Sequence, residues 1–239
     1  MKLAIFDLDH TLMPMDTGDS WVRFLLKRSG RDPKAVHEKL DEFTRTYREG
    51  RIDIDEFERF QMQFLASFRR KELDQYMEEF IARWIRPNVP DGARTLVNRH
   101  REAGDMTALC TATYSFVSRA VADVFGIDAV LAAEAEMGAD GEFTGRLNGS
   151  HAYREGKVLK TRAFIEEQQR LGVRFDGYAF YSDSFNDQPL FDFIASLGGA
   201  CVAVNPDETL RRIALERGWA SVNSYDSSAL QKALHCPEI

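Results

Sequence analysis

Two carboxylates separated by one residue close an apolar run near the start of the chain, where Leu3-Ala4-Ile5-Phe6 leads into Asp7-Leu8-Asp9. Side chains in an extended segment alternate, so Asp7 and Asp9 project to one side of the strand end. Carboxylates that close repel each other, which favours a bound cation or a raised pKa on one of them. A second acidic stretch, Asp183-Ser184-Phe185-Asn186-Asp187, closes the apolar run from Tyr178 to Ser182. Oxygen ligands with no neighbouring His or Cys suit Mg²⁺, a small hard ion that keeps part of its water shell, and suit zinc less well.

Two further positions fit an anion. Thr111 ends the apolar run Met106 to Cys110, just before a predicted helix, where a hydroxyl and free helix amides can hold phosphate oxygens. Capping of that helix is the competing role for Thr111, and Thr113 is the alternative anion ligand. Lys157 follows Gly156 at the start of a predicted helix, where the positive end of the dipole disfavours a cation unless an anion sits nearby. Lys160 competes with it, and both could be surface lysines. The five histidines are scattered and give no metal-ligand spacing.

The elements that carry these residues alternate. Apolar runs at 3–6, 106–110, 129–133, 178–182, 201–204 and 220–222 read as strands, with helices between them, which implies a doubly wound parallel sheet of the α/β class. The stretch 134–147, with Asp140-Gly141 between alternating residues, predicts a β-hairpin. The exception is a helical stretch of about 70 residues after the first strand, too long for an ordinary connection. Asp19 or Ser20 is its first expected cap, with a helix ending near Gly30. Asp32-Pro33 opens a second helix toward Tyr47 and Asp53 or Asp55 a third; a fourth spans 73–84. Phe57, Phe60, Phe64 and Phe68 make a stripe that fits the interior of a helical bundle. The expected division is a core of residues 1–14 and 88–239 and a helical insert of residues 15–87. Asp16, Asp19, Arg23 and Arg45 in the insert fit solvated helix surfaces. Residues after Ser228 predict a short helix and a loose end.

With 239 residues, 44% of them hydrophobic, the chain can bury one substantial core and a smaller companion. A formal net charge of −7 argues against a surface that tracks nucleic-acid phosphates. No run approaches the length needed to span a bilayer, and no signal-peptide pattern precedes the first strand. Cys110, Cys201 and Cys236 have no metal-type spacing and are expected as free thiols, which fits a cytoplasmic protein.

Asp7-Leu8-Asp9-His10-Thr11-Leu12 resembles motif I of the haloacid dehalogenase (HAD) superfamily, in which the first Asp is the nucleophile and the second the general acid/base. Thr111, Lys157 and Asp183 to Asp187 are similar to motifs II, III and IV, in family order along the whole chain. The helical insert between motifs I and II resembles the type C1 cap. Tyr181-Ser182-Asp183-Ser184-Phe185-Asn186-Asp187 and Val202-Ala203-Val204-Asn205-Pro206 resemble the IB subfamily of phosphoserine-phosphatase-like hydrolases. Thr111-Ala112-Thr113 departs from the Ser-Gly-Gly typical of phosphoserine phosphatase. The resemblance implies a Rossmann-like fold and a Mg²⁺-dependent phosphatase that works through an aspartyl-phosphate. It implies Asp7 and Asp9 as catalytic, and Thr111, Ala112 and Lys157 as phosphate-binding. The metal would be held by Asp7, the Asp9 carbonyl and Asp183, with Asp187 as ligand or just behind. The expected substrate is a small phosphorylated metabolite: phosphoserine, histidinol phosphate, another metabolite or a lipid-derived head group. Neither nucleic acid nor membrane is an expected partner, and the protein is expected as a monomer or homodimer. A phosphotransferase or mutase of the same superfamily is the alternative. A phospho-receiver module is a poorer match in length and in motif order.

Overall fold

A computed structural model describes residues 1–225. Ser228 and the predicted helix after it, together with His235 and Cys236, lie outside the described residues.

Six strands form one parallel sheet in the order β3-β2-β1-β6-β7-β8. They are β1 (Lys2–Phe6), β2 (Met106–Cys110), β3 (Ala129–Leu131), β6 (Gly177–Ser182), β7 (Ala200–Val204) and β8 (Ala220–Val222). β3 stops two residues short of its predicted end. The chain winds outward from β1 in one direction, then returns to build β6, β7 and β8 on the other side. β1 therefore lies at the switch in strand order, where α/β sheets open a crevice at their carboxyl ends.

Alternation along β1 explains how both faces are covered. Ala4 and Phe6 belong to one apolar cluster, with Leu96 and Val97 of α5 (Asp91–Glu102) and Val117 and Val121 of α6 (Ser115–Phe125). Leu3 and Ile5 face the other cluster. There they meet Ile165 of α7 (Glu155–Arg170), Leu190 and Ile194 of α8 (Gln188–Ser196), and Leu210 of α9 (Glu208–Arg217). Each such side chain, fully buried, contributes about 1.5–3 kcal/mol of transfer free energy.

Between β1 and α5 run four helices, α1 (Thr17–Ser29), α2 (Lys34–Arg48), α3 (Ile54–Ala66) and α4 (Arg70–Phe80). The cap of α1 is Asp16, whose side chain accepts from the Asp19 amide at 2.7 Å; Asp19 and Ser20 lie inside the helix. Asp53 caps α3 as expected. The fourth helix loosens into a π turn at Ile81–Ile85 and a 3₁₀ turn at Arg86–Asn88, where Pro87 has no amide to continue the ladder. Trp21, Leu25, Leu65 and Phe80 pack into the same cluster as Phe6 and Leu109, so the helical stretch shares apolar contacts with the sheet.

β4 (Glu134–Met137) and β5 (Phe143–Asn148) form the antiparallel hairpin, with Gly141 left-handed at its turn. The hairpin packs on α3. At Gly145 an added Cβ would meet the Ala66 side chain at 3.4 Å, so a bare backbone permits this approach. The helix α8 was not legible as a separate element; it follows a 3₁₀ turn at Phe185–Asp187 and has Pro189 in its first turn.

Candidate active site

Asp7 is the first residue past β1, with its amide donating to the Tyr181 carbonyl at 2.8 Å, and the residue is 7% exposed. The chain then turns. His10 adopts a left-handed φ of 60°, and its carbonyl accepts from Asn205 Nδ2 at 3.0 Å and from the Tyr225 hydroxyl at 2.7 Å. A non-glycine residue held there signals local strain at a place the neighbours fix.

Asp7, Lys157 and Asp187 form one buried cluster, with the half-buried Asp183 at its edge. Lys157 Nζ donates to Asp7 Oδ1 at 2.7 Å and to Asp187 Oδ2 at 2.6 Å, and the Ser182 hydroxyl donates to the same Asp187 oxygen at 2.6 Å. Thr11 Oγ1 links the two acidic stretches: it lies 3.3 Å from Asp7 Oδ2 and 3.0 Å from Asp183 Oδ1, and it accepts from the Asp183 amide at 2.9 Å. These two ion pairs supply the reason for a lysine in the first turn of α7. Gly156 makes the turn possible, since an added Cβ would lie 2.6 Å from both the carbonyl and the Nδ1 of His151. Arg154, just before it, takes a strained φ of 49°.

The electrostatics follow from three carboxylates sharing one ammonium. Burial raises the pKa of Asp7, with Lys157 opposing it. Burial and then the charges of Asp7 and Asp187 hold Asp183 well above the usual carboxylate range. Burial raises Asp187 too, against the pull of Lys157. Lys157 is held well above its usual range, because the two carboxylates outweigh its desolvation. Such a cluster is stabilised by added positive charge.

Asp9 is held apart from that cluster. Its Oδ1 accepts from the amide and the hydroxyl of Thr17, both at 2.7 Å, and its Oδ2 accepts from the Thr113 hydroxyl at 2.6 Å. Burial, with the Asp16 charge adding, pushes Asp9 up to about 6 against these hydrogen bonds. Asp16 lines the chamber as an exposed residue, and partial loss of solvation there raises it to about 6. Thr111 is buried, and its Oγ1 accepts from the Thr113 amide at 3.1 Å. Thr111, Ala112 and Thr113 all line the chamber above Asp7 and Asp9.

That chamber measures about 810 Å³ and lies between the helices α1 to α3 and the carboxyl ends of the strands. Asp16, Asp19, Tyr47, Arg48, Phe57 and Gln61 reach it from the helical side. Tyr47 packs on Tyr153 with ring centroids 5.5 Å apart, and its carbonyl accepts from Asn186 Nδ2 at 3.1 Å.

The residues present fit a hard divalent ion on the chemistry of their donors. All are oxygens, Asp187 Oδ1 is buried without a partner, and Asp183 is raised by burial and then by the charges of Asp7 and Asp187. Among the described residues no three His, Cys, Asp or Glu side chains converge on one point. An ion at Asp7 and Asp183 would complete its shell with backbone oxygen and water, as Mg²⁺ commonly does.

The structure thus brings Asp7, Asp9, Thr111, Ala112, Lys157, Asp183 and Asp187 to one end of the sheet. Sequence reasoning missed Thr17 as an anchor of Asp9, Thr11 as the link between Asp7 and Asp183, and the entry of Tyr47. It gave Thr113 a different part, as a substitute phosphate ligand. The hydroxyl two residues after Asp9 was the visible signal for Thr11, and nothing local marked Thr17 or Tyr47.

Comparison with known proteins agrees with this architecture. The family model for haloacid dehalogenase-like hydrolases matches residues 4–192. A histidinol-phosphatase of Neisseria meningitidis serogroup C is 35% identical over 93% of this chain and 98% of its own length. The crystal structure of a protein of unknown function from Bordetella pertussis Tohama I is 36% identical, with a TM-score of 0.84 over 93% of this chain and 98% of that one. A substrate-bound phosphoserine phosphatase shares the fold at 18% identity, with a TM-score of 0.66 and 97% of each chain covered. The chain belongs to the haloacid dehalogenase-like hydrolases.

Proposed function

We propose that the protein is a Mg²⁺-dependent phosphatase that hydrolyses a small phosphate monoester through an aspartyl-phosphate on Asp7. One observation carries this reading. Two carboxylates two residues apart sit in different environments, Asp7 paired with Lys157 and Asp9 pushed up to about 6. Burial raises both, but only Asp7 has a cation to hold it ionised, and carboxylates in such different surroundings divide into a nucleophile and a proton donor.

In the first step an Asp7 carboxylate oxygen attacks phosphorus in line, the bond to the leaving oxygen breaks, and protonated Asp9 gives its proton to the departing alkoxide. In the second, ionised Asp9 takes a proton from water, the resulting hydroxide attacks phosphorus, and the bond to Asp7 breaks to release phosphate. Lys157 orients Asp7 and, with Thr111 and the backbone at Ala112, offers donors to the equatorial oxygens. A Mg²⁺ ion held by Asp7, the Asp9 carbonyl and Asp183, with Asp187 behind them, would offset the charge of carboxylates and phosphate. Residues 15–87 serve as a helical cap of the C1 kind, closing over the chamber to exclude water and select the alcohol. Buried free thiols at Cys110 and Cys201 support a reducing, cytoplasmic setting.

Histidinol phosphate is the favoured substrate. The relative from Neisseria supports it, and so does the charge of the chamber, where Asp16 and Asp19 add to the acidic site while Arg48 is the one lysine or arginine among the described lining residues. An alcohol that carries a cation and no carboxylate suits those walls better than serine does. The test is phosphate release from histidinol phosphate, phosphoserine and p-nitrophenyl phosphate, with Mg²⁺ and with a chelator. Metal-dependent release with histidinol phosphate ranked first by kcat/KM is expected. Silence from all three esters in the presence of Mg²⁺ would move the reading to a phosphotransferase or mutase.

A further inference from the structure

Beside the chamber, away from the reacting carboxylates, lies a group of buried polar atoms without partners among the described residues. Glu58 on α3 is 3% exposed and neither carboxylate oxygen has a hydrogen bond. Gln61, one helical turn further along the same face, is also 3% exposed, and its Oε1 is unpartnered. Trp21 Nε1 and the Tyr114 hydroxyl, both fully buried, complete the group. Tyr114 lies within electrostatic range of Glu58 and beside the Trp21 indole. Buried polar groups are almost always paired; the Trp21 N–H and the Tyr114 hydroxyl lie close enough to serve each other, and the three oxygens of Glu58 and Gln61 still need a reason.

A route connects this group to the chemistry. Thr113, whose hydroxyl holds Asp9, immediately precedes Tyr114. Gly18 faces the gap between them: a Cβ there would lie 3.3 Å from Thr113 Oγ1, 3.5 Å from Asp16 Oδ1 and 3.7 Å from Gln61 Nε2. Gln61 and Phe57 line the chamber itself, together with Asp9. The balance of unpaired atoms defines the complementary ligand. Once ionised, Glu58 contributes two acceptors and Gln61 one, while the Trp21 N–H and the Tyr114 hydroxyl can serve each other. A ligand that satisfies them brings N–H donors and a positive charge. Burial raises Glu58 to about 8, so an arriving cation would also favour its ionised form.

We infer that Gln61 and Glu58 form a specificity pocket at the distal end of the leaving-group site, which takes the imidazolium or alkylammonium group of the alcohol. Gln61 accepts from the ligand at the chamber wall and Glu58 supplies the countercharge behind it. This rests on the phosphatase reading above and names the residues that would choose the substrate. Asp7, Asp9 and Lys157 handle the phosphoryl end and are blind to that choice.

The experiment uses the full-length protein with Mg²⁺ and two variants, Glu58→Gln and Gln61→Leu, with melting temperatures recorded to verify folding. Two quantities are read: the ratio of kcat/KM for histidinol phosphate to that for p-nitrophenyl phosphate, and the affinity for histidinol by calorimetry, which needs no turnover. Each variant is expected to lower the ratio about tenfold, chiefly through KM for histidinol phosphate, and to weaken histidinol binding about tenfold; each tenfold is about 1.4 kcal/mol. A ratio and a histidinol affinity within twofold of wild type in both variants would overturn the pocket. Should the wild type hydrolyse neither ester yet bind histidinol, with Glu58→Gln losing that binding, the phosphatase reading falls and the pocket stands.

Discussion

Thr113→Val is the substitution that separates the two carboxylates most cleanly. The hydroxyl of Thr113 donates to Asp9 Oδ2 at 2.6 Å, the shortest of the three bonds that hold that side chain. Valine keeps the shape and removes the donor. A hydrogen bond to a charged partner contributes about 1.5–3 kcal/mol, and each 1.36 kcal/mol of difference between protonation states moves a pKa by one unit. The bond favours the ionised form and holds Asp9 down, toward the value of about 6. Its loss therefore raises the pKa of Asp9, by about one to two pH units. The first chemical step needs Asp9 protonated, so kcat/KM falls as pH rises through that pKa. In the variant this alkaline limb moves upward by the same one to two units. A bound divalent ion lowers both limbs together and leaves their separation in place. The assay is kcat/KM for histidinol phosphate, whose alkoxide needs the proton, read as released phosphate from about pH 4.5 to 9 at saturating Mg²⁺. An alkaline limb that stays put in Thr113→Val would refute Asp9 as the proton donor.

Three further outcomes are expected. Lys157→Met leaves Asp7 and Asp187 buried without their shared cation; breaking such a pair costs about 3–5 kcal/mol, to be read as a lower denaturation midpoint, and kcat falls by about two to three orders of magnitude. Gly156→Ala drives a Cβ to 2.6 Å from the His151 carbonyl, so a loss of about 1–3 kcal/mol in chemical denaturation should accompany a misplaced Lys157 and a lower kcat. Asp183→Asn removes one of two carboxylates proposed for Mg²⁺, and the Mg²⁺ concentration for half-maximal activity should rise about tenfold or more; an unchanged Mg²⁺ requirement would exclude Asp183 as a ligand.

The acidic motifs were legible because two of the apolar runs end abruptly at a carboxylate, Phe6 at Asp7 and Ser182 at Asp183. Those boundaries are local, and so is the Gly156-Lys157 step, whose glycine the structure explains by the His151 carbonyl. The reason for the lysine was not legible. Its helix position suggests a missing anion, and the anions turn out to be Asp7 and Asp187, one of them 150 residues away in sequence. The same distance hides Thr113 from Asp9, 104 residues apart, and Asn186 from the Tyr47 carbonyl, 139 apart. Glu58 carries no signal at all: in sequence it is one more charge between phenylalanines on an amphipathic helix, and only the packing of α3 shows it buried. The helix α8 escaped because its start, Asp187 to Pro189, continues the acidic turn with no polar gap, and its apolar face at Leu190, Phe191 and Ile194 is too short to show a period.

Whether Asp7 itself carries the phosphoryl group is decided by intact-protein and peptide mass spectrometry after rapid quenching in acid, with p-nitrophenyl phosphate and Mg²⁺ supplied to the Asp9→Asn variant: p-nitrophenolate departs without a proton, while the second step, which needs Asp9 as base, is slowed. The expected result is a phosphoryl group on the peptide that contains Asp7, absent from the double variant Asp7→Asn, Asp9→Asn. A phosphoryl group found on any other residue would contradict the assignment of Asp7 as nucleophile.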